Sequence, residues 1–413
     1  MGVQVPLCPP SFIRLGQSSP PLEGWPQAGV VYPSYRIHRK PPHGFAAPLQ
    51  RRGTLTEHTI TRPHNLYIHV PFCASKCAYC AFHSVVCKPD WNAYSAQIIS
   101  DIKYWSGRLG RCAVPTIFFG GGTPSLMPTD VFARIMDAAR ETFDILPDAE
   151  ITIESNPGTL CAARLREFMD AGVNRLSVGV QSFDDNELKF LGRTHSANDA
   201  IKLIKIAQDF GLNTSGDFIY GLPGQSVASV EKTCRGILDL GLRHVSLYEL
   251  LIEPGTPLAM RGVQKIDDDT AAAMYEKIDE ILAPALPRYE VSNYARAGFE
   301  CHHNQNIWAG EPYIGIGESA AGRVLIDSQW FETKIINNKL NIKPLSNHDR
   351  AVEKIITGLR TMCGVELTPD VRAAINWDFV HANPNKFIVD DTHIHIGRSS
   401  VLFLDRLLID LVA

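Results

Sequence analysis

No stretch of this chain approaches the roughly 18 consecutive apolar residues that a membrane-spanning helix needs. Charge of one sign is also missing: 40 Lys and Arg against 44 Asp and Glu leave a net charge of -4, which offers no broad basic field for nucleic acid. Ten cysteines in 413 residues are too few for a disulfide scaffold, and there is no internal repeat to mark a solenoid. With 45% hydrophobic residues, what remains is a globular protein long enough for one large domain and a smaller one, or for two of medium size.

Residues 1–63 stand apart. They hold 11 of the 27 prolines and no sustained apolar period, so they cannot build a packed core and are expected to form an irregular, disordered tail. Seven Lys and Arg there outnumber Glu23 and Glu57, as in an organellar transit peptide, although so much proline opposes an amphipathic transit helix. The compartment is thus read as a bacterial cytoplasm, or a mitochondrion or plastid if the tail is a transit peptide.

Beyond the tail, short apolar runs (66–70, 116–119, 150–154, 175–180, 216–220 and 244–250) alternate with stretches of helical period at 90–105, 129–142, 162–171, 197–210 and 226–240. Strands apolar on both faces, each followed by a helix, signal a parallel sheet with right-handed crossovers. The prediction is an α/β fold, a partial (β/α)6 barrel over 64–260, with its chemistry at the C-terminal ends of the strands. An extension at 261–346 reads as a helix over 268–282 and a polar, aromatic loop over 288–323. Residues 347–413 read as a small helical domain with a β-wing, its hairpin at 386–396 and a closing helix at 401–412.

The densest chemistry is Cys73-Ala74-Ser75-Lys76-Cys77-Ala78-Tyr79-Cys80, directly after the first strand. Three soft thiolates on one loop can hold three irons of a 4Fe-4S cluster and leave the fourth iron open. The alternative is a structural zinc ion with His83 as fourth ligand; spacing favours the cluster, since zinc sites more often use two separated cysteine pairs and Cys87 and Cys112 are isolated. At the following strand ends stand Gly120-Gly121-Gly122-Thr123, whose free backbone groups could bind a zwitterion, then Glu154, Gln181 and Asp217. Any one of these could simply cap a helix or close a turn; at successive strand ends they make a site.

The cysteine spacing, with aromatic Tyr79 before the third cysteine, resembles the radical S-adenosylmethionine superfamily. That resemblance implies a cluster whose open iron takes the amino and carboxylate groups of S-adenosylmethionine, then passes one electron to give a 5'-deoxyadenosyl radical. Segments 66–72, 120–123, 175–183, 191–195 and 217–223 look like the oxygen-independent coproporphyrinogen oxidase group, with likeness running from 64 to 365. Phe82 stands where the dehydrogenase pattern has an additional cysteine, as in the haem-chaperone branch. Segment 301–308 is similar to that branch's H-N-x-x-Y-W haem motif, with Ile307 in place of the tyrosine.

The resemblance implies Tyr67, Gly121 and Thr123 beside the S-adenosylmethionine head, Glu154 on its polar groups, and Gln181, Arg193 and Asp217 around ribose and carboxylate. Arg193 suits the carboxylate because its planar fork can bind both oxygens. His303 becomes the candidate axial haem ligand, with His302 and Cys301 keeping the ligand's identity open, and Trp308 a residue to pack against porphyrin. The implied function is a haem chaperone using a 4Fe-4S cluster, S-adenosylmethionine and haem, delivering haem to respiratory cytochromes or terminal oxidases. The alternatives are a coproporphyrinogen III dehydrogenase making protoporphyrinogen IX by radical decarboxylation, and a zinc-stabilised binding module. A homodimer and a weak contact with membrane proteins stay open.

Overall fold

The structure, a computed structural model, describes residues 62–412, so all but the last two residues of the proline-rich tail lie outside the described residues. The six apolar runs become strands β1 (Asn65–Val70), β2 (Ala113–Gly121), β3 (Asp144–Ser155), β4 (Arg175–Gln181), β5 (Asn213–Tyr220) and β6 (His244–Glu249). They pair in parallel in that order, which is the expected six-unit barrel core. Between them run α1 (Trp91–Leu109), α2 (Thr129–Thr142), α3 (Ala162–Asp170), α4 (Asp185–Phe190), α5 (Ala197–Asp209) and α6 (Val227–Asp239). Local chemistry starts them: Asp90 caps α1, and Ser196 and Ser226 head capping boxes on α5 and α6.

Alternation along each strand separates two environments. Leu66, Ile68, Ile117, Phe119, Ile153 and Leu176 face the helices and join one continuous core. The other face points into the barrel and is mostly polar. Strand register puts Tyr67, Phe118, Thr152, Arg175 and Asn213 in one inner row, and Glu154, Ser177, Ser215 and His244 in another.

The loop expected over 288–323 is instead structured. After α7 (Asp268–Leu282), β7 (Asn293–Ala295) closes antiparallel on β6, α8 (His302–Trp308) crosses the barrel, and β8 (Tyr313–Ile316) runs parallel to β1 at the opposite edge. Strands β9 (Ala321–Ile326), β10 (Gln329–Ile336) and β11 (Lys339–Pro344) then extend the sheet as an antiparallel meander to eleven strands. A four-residue strand containing Gly315 has little propensity of its own; pairing with the otherwise open edge of β1 makes it a strand. Met274, Leu282, Ile314 and Val324 of this extension belong to the barrel's own core. A second core, including Ile355, Leu359, Ile394, Leu404 and Leu411, gathers the C-terminal helices and a three-stranded sheet that contains the expected hairpin (Phe387–Val389 with His393–Ile396). The closing helix differs from expectation in that a 3-10 turn, Arg398–Phe403, precedes Leu404–Leu411.

Candidate cluster and cofactor site

Leaving β1, the chain enters the cysteine loop, which is fastened on several sides. Ala78 N donates to Leu191 O (2.9 Å), Leu258 N to Ala78 O (2.9 Å), and Lys76 Nζ to Phe82 O (2.6 Å) and Ser84 Oγ (2.7 Å). Gly192, at φ 72°, lets the 191–193 segment approach: a Cβ there would lie 3.1 Å from Ala78 N. Cys73, Cys77 and Cys80 are buried together, with Tyr79 and Phe82 packed on them.

Donors face two of the three sulfurs. Thr123 Oγ1 lies 3.6 Å from Cys73 Sγ, and Arg193 Nη1 lies 3.3 Å from Cys77 Sγ. Three buried thiols on one loop, with a hydroxyl and a guanidinium beside them, fit a negatively charged iron-sulfur cluster. The zinc alternative lacks its ligand set. Among the described residues no three His, Cys, Asp or Glu side chains are disposed to hold one metal ion, and His83 is exposed, its carbonyl bonded to His69 and its ring 6.1 Å from the His69 ring. Cysteines that grip separate irons of a cubane stand farther apart than ligands of a single ion.

The glycine segment corrects an expectation. Its amides are not free for a zwitterion: Gly121 N donates to Glu154 Oε2 (3.1 Å), Gly122 N to Val70 O (2.7 Å) and Thr123 N to Phe72 O (2.8 Å). A Cβ on Gly122 would meet Phe72 O at 2.6 Å, so glycine is required there by the chain's own close packing.

Glu154 is wholly enclosed, and burial, reinforced by Asp217, pushes its carboxyl up to about 8. Burial also raises Asp217, against hydrogen bonds from Ser177 Oγ (2.7 Å) and Ser246 Oγ (2.8 Å). Gln181 sits buried at φ 62° on a register break in β4, which re-aims its side chain. Tyr67 is turned to His69. Since His69 Nε2 donates to His83 O (2.9 Å), its Nδ1 accepts from the Tyr67 hydroxyl (2.9 Å); burial lowers this imidazole to about 4, so it is neutral. The structure therefore joins Thr123 and Arg193 directly to the sulfurs and pairs Glu154 with Gly121, while Tyr67 and Asp217 hold partners of their own.

Residues 67–237 match the Radical SAM superfamily model. The chain is 40% identical to "Heme chaperone HemW" of Escherichia coli over 63% of its own length and 70% of that protein. It is 35% identical to the Bos taurus "Radical S-adenosyl methionine domain-containing protein 1, mitochondrial", covering 73% and 74%. The chain belongs to the HemW family of radical SAM proteins. Its fold matches that of coproporphyrinogen III oxidase HemN from Escherichia coli, at a TM-score of 0.72 and 21% identity over 86% of this chain and 91% of that one. The cofactors of the radical SAM superfamily are a 4Fe-4S cluster and S-adenosylmethionine.

The segment of this HemW-family chain that resembles a haem motif plugs the N-terminal end of the barrel. Glu150 accepts from the amides of His302 (3.2 Å) and His303 (3.0 Å) and from Cys301 Sγ (3.6 Å). Arg175, 3.6 Å from Glu150, donates to Phe299 O (3.1 Å) and Glu300 O (3.4 Å). His303 is fully buried, its ring stacked 5.1 Å from Phe118, which in turn stacks on Tyr67. Thr116 Oγ1 donates to Asn65 Oδ1 (2.8 Å), so at 2.6 Å it accepts from His303 Nδ1–H. His303 Nε2 then carries the lone pair, and it has no partner. Burial holds this imidazole neutral, lowered to about 3.

His302 is exposed, whereas burial followed by Glu150 raises the Cys301 thiol, keeping it protonated and a poor ligand. Trp308 is buried, 6.2 Å from Tyr289, so here it packs against protein; the expected porphyrin contact would need α8 to move. Sequence reasoning missed Asn156, Thr116, Asn65 and the Glu150–Arg175 pair. Asn156 stands two residues after Glu154, just past the end of β3; the others lie toward the N-terminal end of the barrel, where a barrel's chemistry is not sought.

Proposed function

We propose that this protein is a haem chaperone: it takes up haem as cargo and carries a 4Fe-4S cluster on Cys73, Cys77 and Cys80, with S-adenosylmethionine among Tyr67, Gly121, Thr123, Glu154, Gln181, Arg193 and Asp217. The name of its HemW relatives supports the cargo, and Phe82 on the cysteine cluster fits the chaperone branch. The observation that carries the reading is His303. Its tautomer leaves Nε2 as a bare lone pair in a neutral ring, the form an iron porphyrin requires, with Thr116 fixing the other nitrogen; the ring is fully buried, so haem reaches it by the same movement of α8 that Trp308 needs. When bound, the cluster supplies one-electron chemistry at its open iron. Around it, Thr123 and Arg193 present donors to the sulfurs, and Glu154 offers a carboxyl oxygen that can accept from the N–H of the cofactor's amino group. Respiratory cytochromes or terminal oxidases are the proposed acceptors. Among the described residues no helix is long and apolar enough to cross a membrane.

The test is an absorbance titration of anaerobically reconstituted protein with haem, beside an assay for protoporphyrinogen IX made from coproporphyrinogen III. A saturable, shifted Soret band near stoichiometric haem, weakened by His303→Ala with iron and sulfide unchanged, is expected. Failure to bind haem with an intact cluster, together with product formation, would replace the chaperone by the dehydrogenase.

A further inference from the structure

Outside the residues assigned above, Asn156 occupies a singular position. It follows the end of β3, and its amide bridges the two groups that face the cluster sulfurs. Nδ2 donates to Thr123 Oγ1 (3.0 Å), the atom that lies 3.6 Å from Cys73 Sγ. Oδ1 accepts from Arg193 Nη2 (2.6 Å), whose other terminal nitrogen lies 3.3 Å from Cys77 Sγ. The chain of contacts is continuous: Cys73, Thr123, Asn156, Arg193, Cys77. Gly179 O takes a second bond from Arg193 Nη2 (3.0 Å), which leaves the guanidinium little freedom to turn. Cys77, Thr123, Asn156 and Arg193 also line one small cavity of about 30 Å³ beside the cysteine loop.

Only a side chain with both a donor and an acceptor on one planar group can make these two contacts together. Because Asn156 Nδ2 donates to Thr123 Oγ1, the threonine's own hydrogen is free to point at Cys73. Without that donor the hydroxyl has no reason to turn its hydrogen to sulfur. Without the Oδ1 acceptor, Arg193 Nη2 loses one of the two oxygens that hold it.

We propose that Asn156 is a positioning residue that sets the reduction potential of the cluster by holding hydrogen-bond donors on two of its three cysteine sulfurs at once. The inference rests on the cluster reading above. Reduction adds negative charge that the cluster shares with its thiolates. Donors at those sulfurs stabilise the reduced form more than the oxidised one and raise the potential. Asn156 touches neither sulfur; it acts through Thr123 and Arg193.

The experiment is a redox titration of the anaerobically reconstituted full chain, followed by electron paramagnetic resonance. It compares the native protein with Asn156→Ala, Thr123→Val and the double variant, each with iron and sulfide measured first. The expected result is a full cluster in every variant and a more negative midpoint potential in Asn156→Ala. Thr123→Val reproduces part of that shift, and the double variant goes little beyond Asn156→Ala, because one arm runs through the other. An unchanged potential in Asn156→Ala with full iron and sulfide overturns the proposal and leaves the cluster reading intact. Absence of a cluster from the native protein overturns both. Should Asn156→Ala fail to fold or load, Asn156→Leu decides: it keeps the side chain's shape, adds no charge and loses both the donor to Thr123 and the acceptor for Arg193. It must therefore shift the potential, and an unshifted value refutes the role.

Discussion

Glu154 offers a quantitative test of the cofactor pocket. Its carboxyl is pushed up to about 8 by burial and then by Asp217, and Gly121 N is the donor that faces it. The ionised carboxylate, the stronger acceptor for the cofactor's amino N–H, is then scarce at low pH. With a pKa of about 8 the ionised fraction is about one in a hundred at pH 6 and about one half at pH 8. The apparent Kd for S-adenosylmethionine should therefore fall roughly 50-fold across that window, with proton release on binding. Glu154→Gln should bind weakly at both pH values and lose that slope; whatever slope it keeps belongs to the ligand's own amino group. Stability of the ligand-free protein moves the other way. The folded pKa lies above the unfolded one, so this group's contribution is fully present below about pH 4.5 and is lost as pH rises through about 8, at up to ~1.4 kcal/mol per unit. Calorimetric titration at pH 6, 7 and 8 in buffers of different ionisation enthalpy, with urea unfolding beside it, reads both. Equal affinity at pH 6 and 8, or parallel slopes in native protein and Glu154→Gln, would refute the assignment of a protonated, enclosed carboxyl.

Two further outcomes follow from the geometry. Cys77→Ala should reduce iron and acid-labile sulfide to background after anaerobic reconstitution, since two thiols cannot anchor what three hold; full iron and sulfide would sink the cluster assignment. Glu150→Gln leaves the buried Arg175 without its carboxylate and should cost about 3–5 kcal/mol in unfolding free energy. Because Glu150 also holds the amides of His302 and His303, the same variant should speed alkylation of Cys301, followed by mass spectrometry; an unchanged labelling rate would show that α8 is held by other contacts.

Read from sequence alone, the barrel and the cluster loop were accessible because their signals are local. Six apolar runs with helical stretches between them define a parallel sheet, and α2 and α7 begin and end where their periodicity does. Three thiols within eight residues need no tertiary knowledge to be recognised. The eleven-stranded sheet was not accessible, because β8 is a strand only by pairing with β1, its partners 248 residues away in sequence, and its four residues carry no pattern.

The sequence by itself determined the barrel, through its alternating apolar runs and helical periods, and the close spacing of the three cysteines, while the motif containing His303 was legible only by resemblance to a family. Tertiary structure alone decided what those groups can do. It took the glycine amides into the chain's own hydrogen bonds, brought Thr123 and Arg193 onto two sulfurs with Asn156 bridging them, and gave His303 a Thr116 partner from β2 that fixes its tautomer. The physical reason is that charge state, tautomer and hydrogen-bond direction depend on burial and on partners distant in sequence, which residue spacing does not encode.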